Sequence, residues 1–489
     1  MNMSLTWTPA GRRQRSMLLG LGVISCCALA SLVLAPVGFA AAPGGGSKAC
    51  QQDGKISGRG ASYQAHAENY FAELYREDFC GVVEKAGEAQ PPVGAGSTML
   101  AYNYQAAEEA SATGASAGLK AASCRTDAYA GDSLPYTEAQ LAELDGVPGK
   151  TGGCTLTFSP PFVPASPYPG PEDTKANIMS FPVAGTATAI IINLTNALCG
   201  GTAPGSIDLT ATEVSRLFGG DVASWNDPEL VANNPALANC TGAVTRVLRE
   251  DSSGTTEIFK AYLVRAENAR TGQKCAEGKK WSNYTAKNTE WPGKQAVGKE
   301  GTCSAFVITA KSGGPEEVKK LEETPDGVGY ADLPDVEAAK VLPLVASVEN
   351  ATATSPEPPG VSGAANCNYN VLSLPGATAS DSVGLDPEDN WATNNEEADG
   401  NPNHQNPTDL GGKYPICGLT FDLVYEGLSD TAGTANPISR LNVDQRRTLY
   451  SYFSFVLSSL AQRGLTSIYY APLPQSWGGK LVEGFQANF

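Results

Sequence analysis

The chain has 489 residues, with 34 Lys+Arg against 51 Asp+Glu for a formal charge of -17, and only two His. With His66 and His404 as the only imidazoles, a three-His zinc site is excluded and a Ser-His-Asp triad would have to use one of those two. The acidic balance lacks the basic footprint of a general nucleic-acid binder, while 42% hydrophobic residues over this length allow two or three domains with real cores.

Residues 1–16 carry Arg12, Arg13 and Arg15 and no acid, an apolar run extends from Met17 to Ala35, and small residues follow at Gly38-Phe39-Ala40-Ala41-Ala42. That order marks residues 1–40 as a secretory signal cut after Ala40. An uncleaved membrane anchor, a lipoprotein attached through Cys26 and twin-arginine export through Arg12-Arg13 fit the same stretch. Each reading places the protein outside the cytoplasm, periplasmic or extracellular. Residues 41–54, with Gly44-Gly45-Gly46-Ser47, form a flexible tether, and no second apolar run reaches membrane length.

The folded region begins with a short strand at Lys55-Ile56-Ser57-Gly58, a glycine-containing turn, and a helix over Ala65–Arg76 with Tyr70, Phe71, Leu74 and Tyr75 at core spacing. A short helix is expected over Glu138–Leu144, and Pro160–Pro171 reads as a loop. Next come a buried strand at Ala187–Leu194, a helix at Ala211–Phe218, a strand at Thr245–Leu248 and a helix at Ser253–Arg265 burying Ile258, Phe259, Tyr262 and Leu263. Residues 349–413 shift to Asn, Asp, Pro, Gly and Ala, the composition of a large surface insertion or a partly ordered excursion. Strand and helix return at Gly418–Tyr425 and Arg446–Leu460. Such alternation predicts an α/β protein.

Removing residues 1–40 leaves ten cysteines, none in a CxxC pair, which in an exported chain argues for disulfides rather than a metal ribbon. Nearest-neighbour pairing, starting with Cys50 to Cys80, keeps each loop local. Sequons at Asn193, Asn239, Asn283 and Asn350 read as unmodified surface sites.

The sharpest chemical segment is Arg249-Glu250-Asp251-Ser252-Ser253-Gly254-Thr255-Thr256, between a strand and a helix. A helix N-terminus offers unpaired N–H groups to an anion; Ser253 and Thr255 add hydroxyls, Gly254 allows close approach, and Arg249 supplies a planar fork that Asp251 can hold. The plainer alternative is an N-cap turn in which Ser253 caps the helix and Arg249 is a solvated strand end. Gly58-Arg59-Gly60-Ala61-Ser62-Tyr63 is a second strand-to-helix turn. Asp132, in Ala130-Gly131-Asp132-Ser133, is an N-cap candidate.

Taken in order, these segments resemble the PstS family of phosphate-binding proteins that serve ABC phosphate importers. The family's G-A-G-A-T-F is similar to Gly58–Tyr63, its G-S-S/G-G-G-x-K to Gly114-Ala115-Ser116-Ala117-Gly118-Leu119-Lys120, and its D-F-G-A-S-D-A-P to Asp127–Leu134. Its W-[ND]-D resembles Trp225-Asn226-Asp227 and its R-x-D-G-S-G-T resembles Arg249–Thr255. Glu290-Trp291-Pro292, Gly327-Val328-Gly329-Tyr330 and Tyr470–Pro474 follow in the family's order.

The resemblance implies an α/β, two-lobe periplasmic-binding-protein-like (type II) fold with a ligand cleft between the lobes. It divides the chain into 55–183 (first part of lobe I), 184–415 (lobe II, including the 349–413 insertion) and 416–489 (completion of lobe I). Implied ligand contacts are Ser62, Tyr63, Asp132, Arg249, Ser253, Gly254 and Thr255, with Asp251 and Ser116 supporting and no metal or cofactor. Ser116 stands in for the hydroxyl lost at Ala115. The implied ligand is inorganic phosphate or another tetrahedral oxyanion, and the implied partner of a monomeric protein is an ABC importer permease. Helix ends and hydroxyls let an acidic protein bind an anion, and an ionised Asp132 would accept a hydrogen bond from protonated phosphate while repelling fully ionised sulfate. Ala115 and the insertion also fit a surface or adhesion protein that keeps the fold without transport coupling. A phosphatase-like hydrolase using Ser253 lacks a supporting His motif.

Overall fold

A computed structural model of the chain describes residues 56–80, 101–104, 128–132, 178–251, 253–266, 291, 307–310, 313–339, 343–350, 355–371, 412–425, 441 and 443–489. The export segment with Cys26, the tether, Ser116, the expected helix at 138–144, the Pro160–Pro171 loop and His404 lie outside the described residues.

Strand β1 (Ser57–Gly60) lies between β2 (Ala101–Tyr104) and β3 (Tyr129–Asp132), parallel to both, with Gly60 opposite Gly131. The glycine turn expected after Gly58 is therefore part of the strand itself. Antiparallel to β3 runs β13 (Cys417–Tyr425), which pairs with the first part of β4 (Ile178–Asn193). Beyond Ala187, β4 changes partner: Thr188 to Asn193 pair with β8 (Gly327–Asp332). Next to β8 lies β6 (Thr245–Arg249) and then β7 (Val307–Ala310), all three parallel. The end of β4 also pairs with β9 (Leu344–Glu349), which carries β5 (Ile207–Leu209) and β10 (Pro356–Glu357). One long strand thus belongs to two sheet halves, each with a parallel set.

Sequence patterning found only the second half of β4, because Pro182 interrupts the first. The structure accommodates it at a bulge: the register with β13 shifts between Thr420 and Phe421, from Ala184 to Pro182. Proline has no N–H to donate and is tolerated where the ladder is already broken. The skipped residue, Val183, keeps its carbonyl satisfied by Gln462 Nε2 at 2.8 Å.

Each half has its own aromatic core. Phe181, Phe453 and Phe485 meet in the first, at centroid separations of 5.2 and 5.8 Å. In the second, Phe218 and Phe259 meet at 4.6 Å beside Trp291 and Tyr330. Helix Ala65–Cys80 buries Phe71 and Tyr75 and half-buries Tyr70 and Leu74. Helix Gly254–Ala266 buries Ile258, Phe259, Tyr262 and Leu263, all four expected from spacing. The helix expected over 446–460 is two, Val443–Val456 and Ser459–Gly464, because Ser458 Oγ accepts from Ala461 N at 3.4 Å and starts a new N-cap.

Disulfides Cys199–Cys240 and Cys367–Cys417 follow nearest-neighbour pairing, and the other expected pairs lie outside the described side chains. Their separations of 41 and 50 residues each remove roughly 4 kcal/mol of unfolded-chain entropy in the loop-closure picture. The second bond belongs to a correction. The 349–413 stretch is not wholly a surface excursion, for Glu349 ends β9 and residues 355–371 fold back onto the β4–β13 ladder through the hairpin β11 (Gly360–Val361) and β12 (Ala364–Ala365). Tyr369 donates its hydroxyl to the Gly418 carbonyl at 2.6 Å, directly beside that disulfide. Two sequons are likewise not free surface. Asn350 is buried and donates to Lys413 O at 2.6 Å, and Asn193 Nδ2 lies 2.9–3.1 Å from three carbonyls closing helix Gly314–Glu322.

Candidate oxyanion site

Parallel strands in α/β sheets place their ligand-binding turns at their carboxyl ends. In one half, β1 leads to Ser62 and β3 ends at Asp132; in the other, β6 ends at Arg249 and β8 at Asp332. The two edges face each other. Tyr63 donates to Thr186 O at 2.8 Å, two residues from the β4 partner change, and His66 Nε2 lies 2.9 Å from Asp335 Oδ1 across the gap.

Arg249 is not a solvated strand end: it is 2% exposed. Its Nε and one Nη donate to the two oxygens of Asp251 at 2.6 and 2.5 Å, and Asp251 Oδ2 also accepts from Gly313 N at 3.2 Å. The carboxylate therefore fixes the fork from behind and ties it to the start of helix Gly314–Glu322. The remaining Nη1 is buried with no acceptor among the described residues. A buried, charged donor without a partner is costly, so Nη1 is a donor left available to an acceptor. Despite burial, the Asp251 charge beside it holds Arg249 above the ordinary guanidinium range.

Helix Gly254–Ala266 starts beside this fork. Ser253 Oγ accepts from Thr256 N at 3.4 Å and Ser253 O from Glu257 N at 3.2 Å. So Ser253 does cap the helix, as the plainer reading has it, while Gly254 and Thr255 stand in the first turn, whose N–H groups lack intrahelical acceptors. Thr255 Oγ1 lies 2.7 Å from Asp332 Oδ1, and Thr256 Oγ1 bonds Tyr330. Asp332, Asp335 and Glu317 line this edge; the spacing gave no signal for them, because an acid at a strand end or in the first turn of a helix resembles an ordinary cap or dipole partner. Glu317 Oε1 accepts from Tyr330 N at 3.3 Å, and burial raises both Glu317 and Asp332 well above the carboxylate range.

On the other edge Ser62 is 9% exposed, at the start of the turn before helix Ala65–Cys80. The Tyr63 side chain differs from expectation: its hydroxyl serves the β4–β13 ladder, sharing the Thr186 and Gly418 carbonyls with Tyr369. Tyr470 Oη fixes the Tyr63 carbonyl at 2.7 Å. The Tyr63 hydroxyl and carbonyl are therefore both engaged within the protein. The Asp132 backbone sits opposite Phe421, while its side chain and Ser116 lie outside the described part. Trp225 and Asp227, from the W-[ND]-D segment, are structural: Trp225 Nε1 donates to Asp326 O, and Asp227 caps helix Pro228–Asn233.

The hydrogen bond to Asp335 raises His66 above its usual value. That contribution is complete below the unfolded pKa of about 6.5 and fades as pH rises through the higher folded value. His66→Asn is expected to lower stability more at pH 5.5 than at pH 9 in urea titrations, by less than about 1 kcal/mol because the imidazole is 42% exposed. Equal losses at both pH values would exclude a charged bridge.

A model of the PBP superfamily domain matches residues 170–432. The phosphate-binding protein PstS of Xylella fastidiosa is 32% identical over 139 residues, covering 28% of this chain and 34% of that protein. Mycobacterium tuberculosis PstS 3 is 25% identical over 221 residues, 41% of this chain and 55% of that relative, so the chain matches about a third to a half of these relatives' lengths. Among solved structures, a high affinity periplasmic phosphate-binding protein bound with phosphate superposes with a TM-score of 0.50 at 17% identity, covering 87% of this chain and 92% of that one. A human phosphate binding apolipoprotein gives 0.50 and 17%, covering 87% and 93%. The likeness in fold agrees with the α/β, two-lobe type II arrangement, and with a family domain spanning more than half of its residues the chain belongs to the PBP superfamily.

Proposed function

We propose that the protein is an exported solute-binding protein that captures inorganic phosphate between two lobes, 55–183 with 416–489 and 184–415, and delivers it to the permease of an ABC importer. The unpartnered, buried Nη1 of Arg249 carries this reading. In this reading the Gly254 and Thr255 N–H groups, at the start of helix Gly254–Ala266, and the Ser62 hydroxyl, from the facing edge, join Nη1 as donors to the anion. Asp132, at the end of β3, is the acceptor proposed to read a protonated phosphate oxygen, and Ser116 a supporting hydroxyl. Charge-assisted bonds contribute roughly 1.5–3 kcal/mol each, so five or six suffice for the about 8–12 kcal/mol of micromolar to nanomolar binding after ordering costs. The names of the relatives support phosphate as ligand, and the site holds an anion without needing turnover. The mature protein acts as a monomer outside the cytoplasm, held to the membrane, if at all, through its N-terminus.

Calorimetric titration of the chain lacking residues 1–40 with phosphate, arsenate, phosphite and sulfate tests this. Phosphate and arsenate are expected to bind at micromolar Kd or tighter and sulfate far more weakly. Sulfate binding as tightly as phosphate, or no oxyanion binding at all, would overturn the proposal.

A further inference from the structure

The contact between Thr255 Oγ1 and Asp332 Oδ1, at 2.7 Å, poses a problem of direction. A hydroxyl has one proton. If Asp332 is a carboxylate, Thr255 must donate to it and can show an anion only lone pairs, which repel. If Asp332 is a carboxylic acid, it donates to Thr255 Oγ1 and turns the threonine proton outward. Resting on the oxyanion reading above, we propose that Asp332 is a positioning residue that keeps its proton and gives that hydrogen bond to Thr255, so that Thr255 becomes a donor to the bound anion.

The surroundings of Asp332 favour the neutral acid. It is 1% exposed, and its Oδ2 has no partner among the described residues, a heavier penalty for a carboxylate than for a neutral carbonyl. Arg249, the nearby guanidinium among the described residues, is already held through two of its nitrogens by Asp251. Asp335 and Asp251, the other charges acting on Asp332, are acids, and Asp335 has its own partner in His66. Glu317 faces the same Arg249 and Asp332, and the Tyr63 and Tyr470 hydroxyls face it from the opposite half. Burial, then the Asp335 charge, push Asp332 up, outweighing the Thr255 bond and Arg249. With Asp332 and Glu317 neutral, Arg249 balances Asp251 and His66 balances Asp335 among the described residues of this edge.

Infrared difference spectra of the ligand-free protein, wild type minus Asp332→Asn at pH 7, are expected to show the carbonyl band of a protonated carboxyl group. The amide introduced by that substitution would donate to Thr255 as the acid does. Asp332→Asn is therefore expected to bind phosphate within about threefold of wild type at pH 6, whereas Asp332→Ala and Thr255→Val lose roughly tenfold or more, the factor of one hydrogen bond to a charged group. Between pH 6 and pH 9 wild-type affinity should fall relative to Asp332→Asn, a ratio from which the titration of phosphate itself cancels. A carboxylate band without the carboxyl band, or an Asn variant as weak as the Ala variant, overturns the proposal. If no oxyanion binds, the functional reading falls, and the infrared band alone still decides the protonation of Asp332.

Discussion

Arg249→Ala is expected to abolish measurable phosphate binding at micromolar protein and also to weaken the fold. The two effects have separate causes. Loss of the Nη1 donor removes a charge-assisted bond of about 1.5–3 kcal/mol, by itself about a 10- to 150-fold loss in affinity. Loss of the fork leaves Asp251 buried, with Gly313 N its remaining donor, and an uncompensated buried charge costs about 3–5 kcal/mol against a total stability of about 5–15 kcal/mol. Arg249→Lys separates them: it keeps the charge beside Asp251 but cannot reach two carboxylate oxygens and the anion at once. The lysine variant should therefore melt closer to wild type while binding phosphate at least tenfold more weakly. Retained affinity in a folded Arg249→Lys or Arg249→Ala protein, followed by titration calorimetry with circular dichroism as control, would place the anion elsewhere.

The second large effect concerns a pair of buried acids in the other half. Glu68 and Asp422 are both fully buried, Glu68 Oε2 accepting from Tyr129 and Tyr452 at 3.0 and 3.1 Å and Asp422 Oδ1 from Gln64 at 2.7 Å. Burial raises both, and the neighbouring Glu68 charge raises Asp422 further, so the pair shares a proton with Asp422 as its holder. An acid whose folded pKa is raised binds more protons folded than unfolded, so stability falls as pH climbs from the ordinary carboxylate range, about 4, toward the raised value. Asp422→Asn keeps an acceptor for Gln64 and a donor for Glu68 while removing that dependence. It is expected to match wild type near pH 4.5 and to exceed it by about 1–3 kcal/mol at pH 8, the scale of a buried polar group relieved of its desolvation penalty. Thermal melts across that range check it. A variant that loses stability relative to wild type as pH rises would show that the pair is ionised and paired by some other means.

What the sequence determined by itself is what local chemistry controls. Phe71, Tyr75, Phe259 and Leu263 declared their helices because a 3.6-residue period is written in consecutive residues, and the disulfide at Cys199–Cys240 is local in sequence. Arg249, Asp251, Ser253 and Gly254 were legible because one strand-to-helix turn holds them all. Tertiary structure decided the rest. The first half of β4 was hidden by Pro182, which is harmless only because β13 and Gln462 accommodate a bulge there. Tyr63 was readable as a pocket residue but not as a brace of the β4–β13 ladder, since its acceptors Thr186 and Gly418 lie 123 and 355 residues away. Asp332 and Asp335 carry no local mark at all: their roles arise where Thr255 and His66 meet them from 77 and 269 residues away. The sequence alone marked Arg249–Thr255 as the turn with the chemistry for an anion; the facing of two sheet edges brought Asp332 and Asp335 against Thr255 and His66, and burial at that junction, not the net charge of -17, raises Asp332.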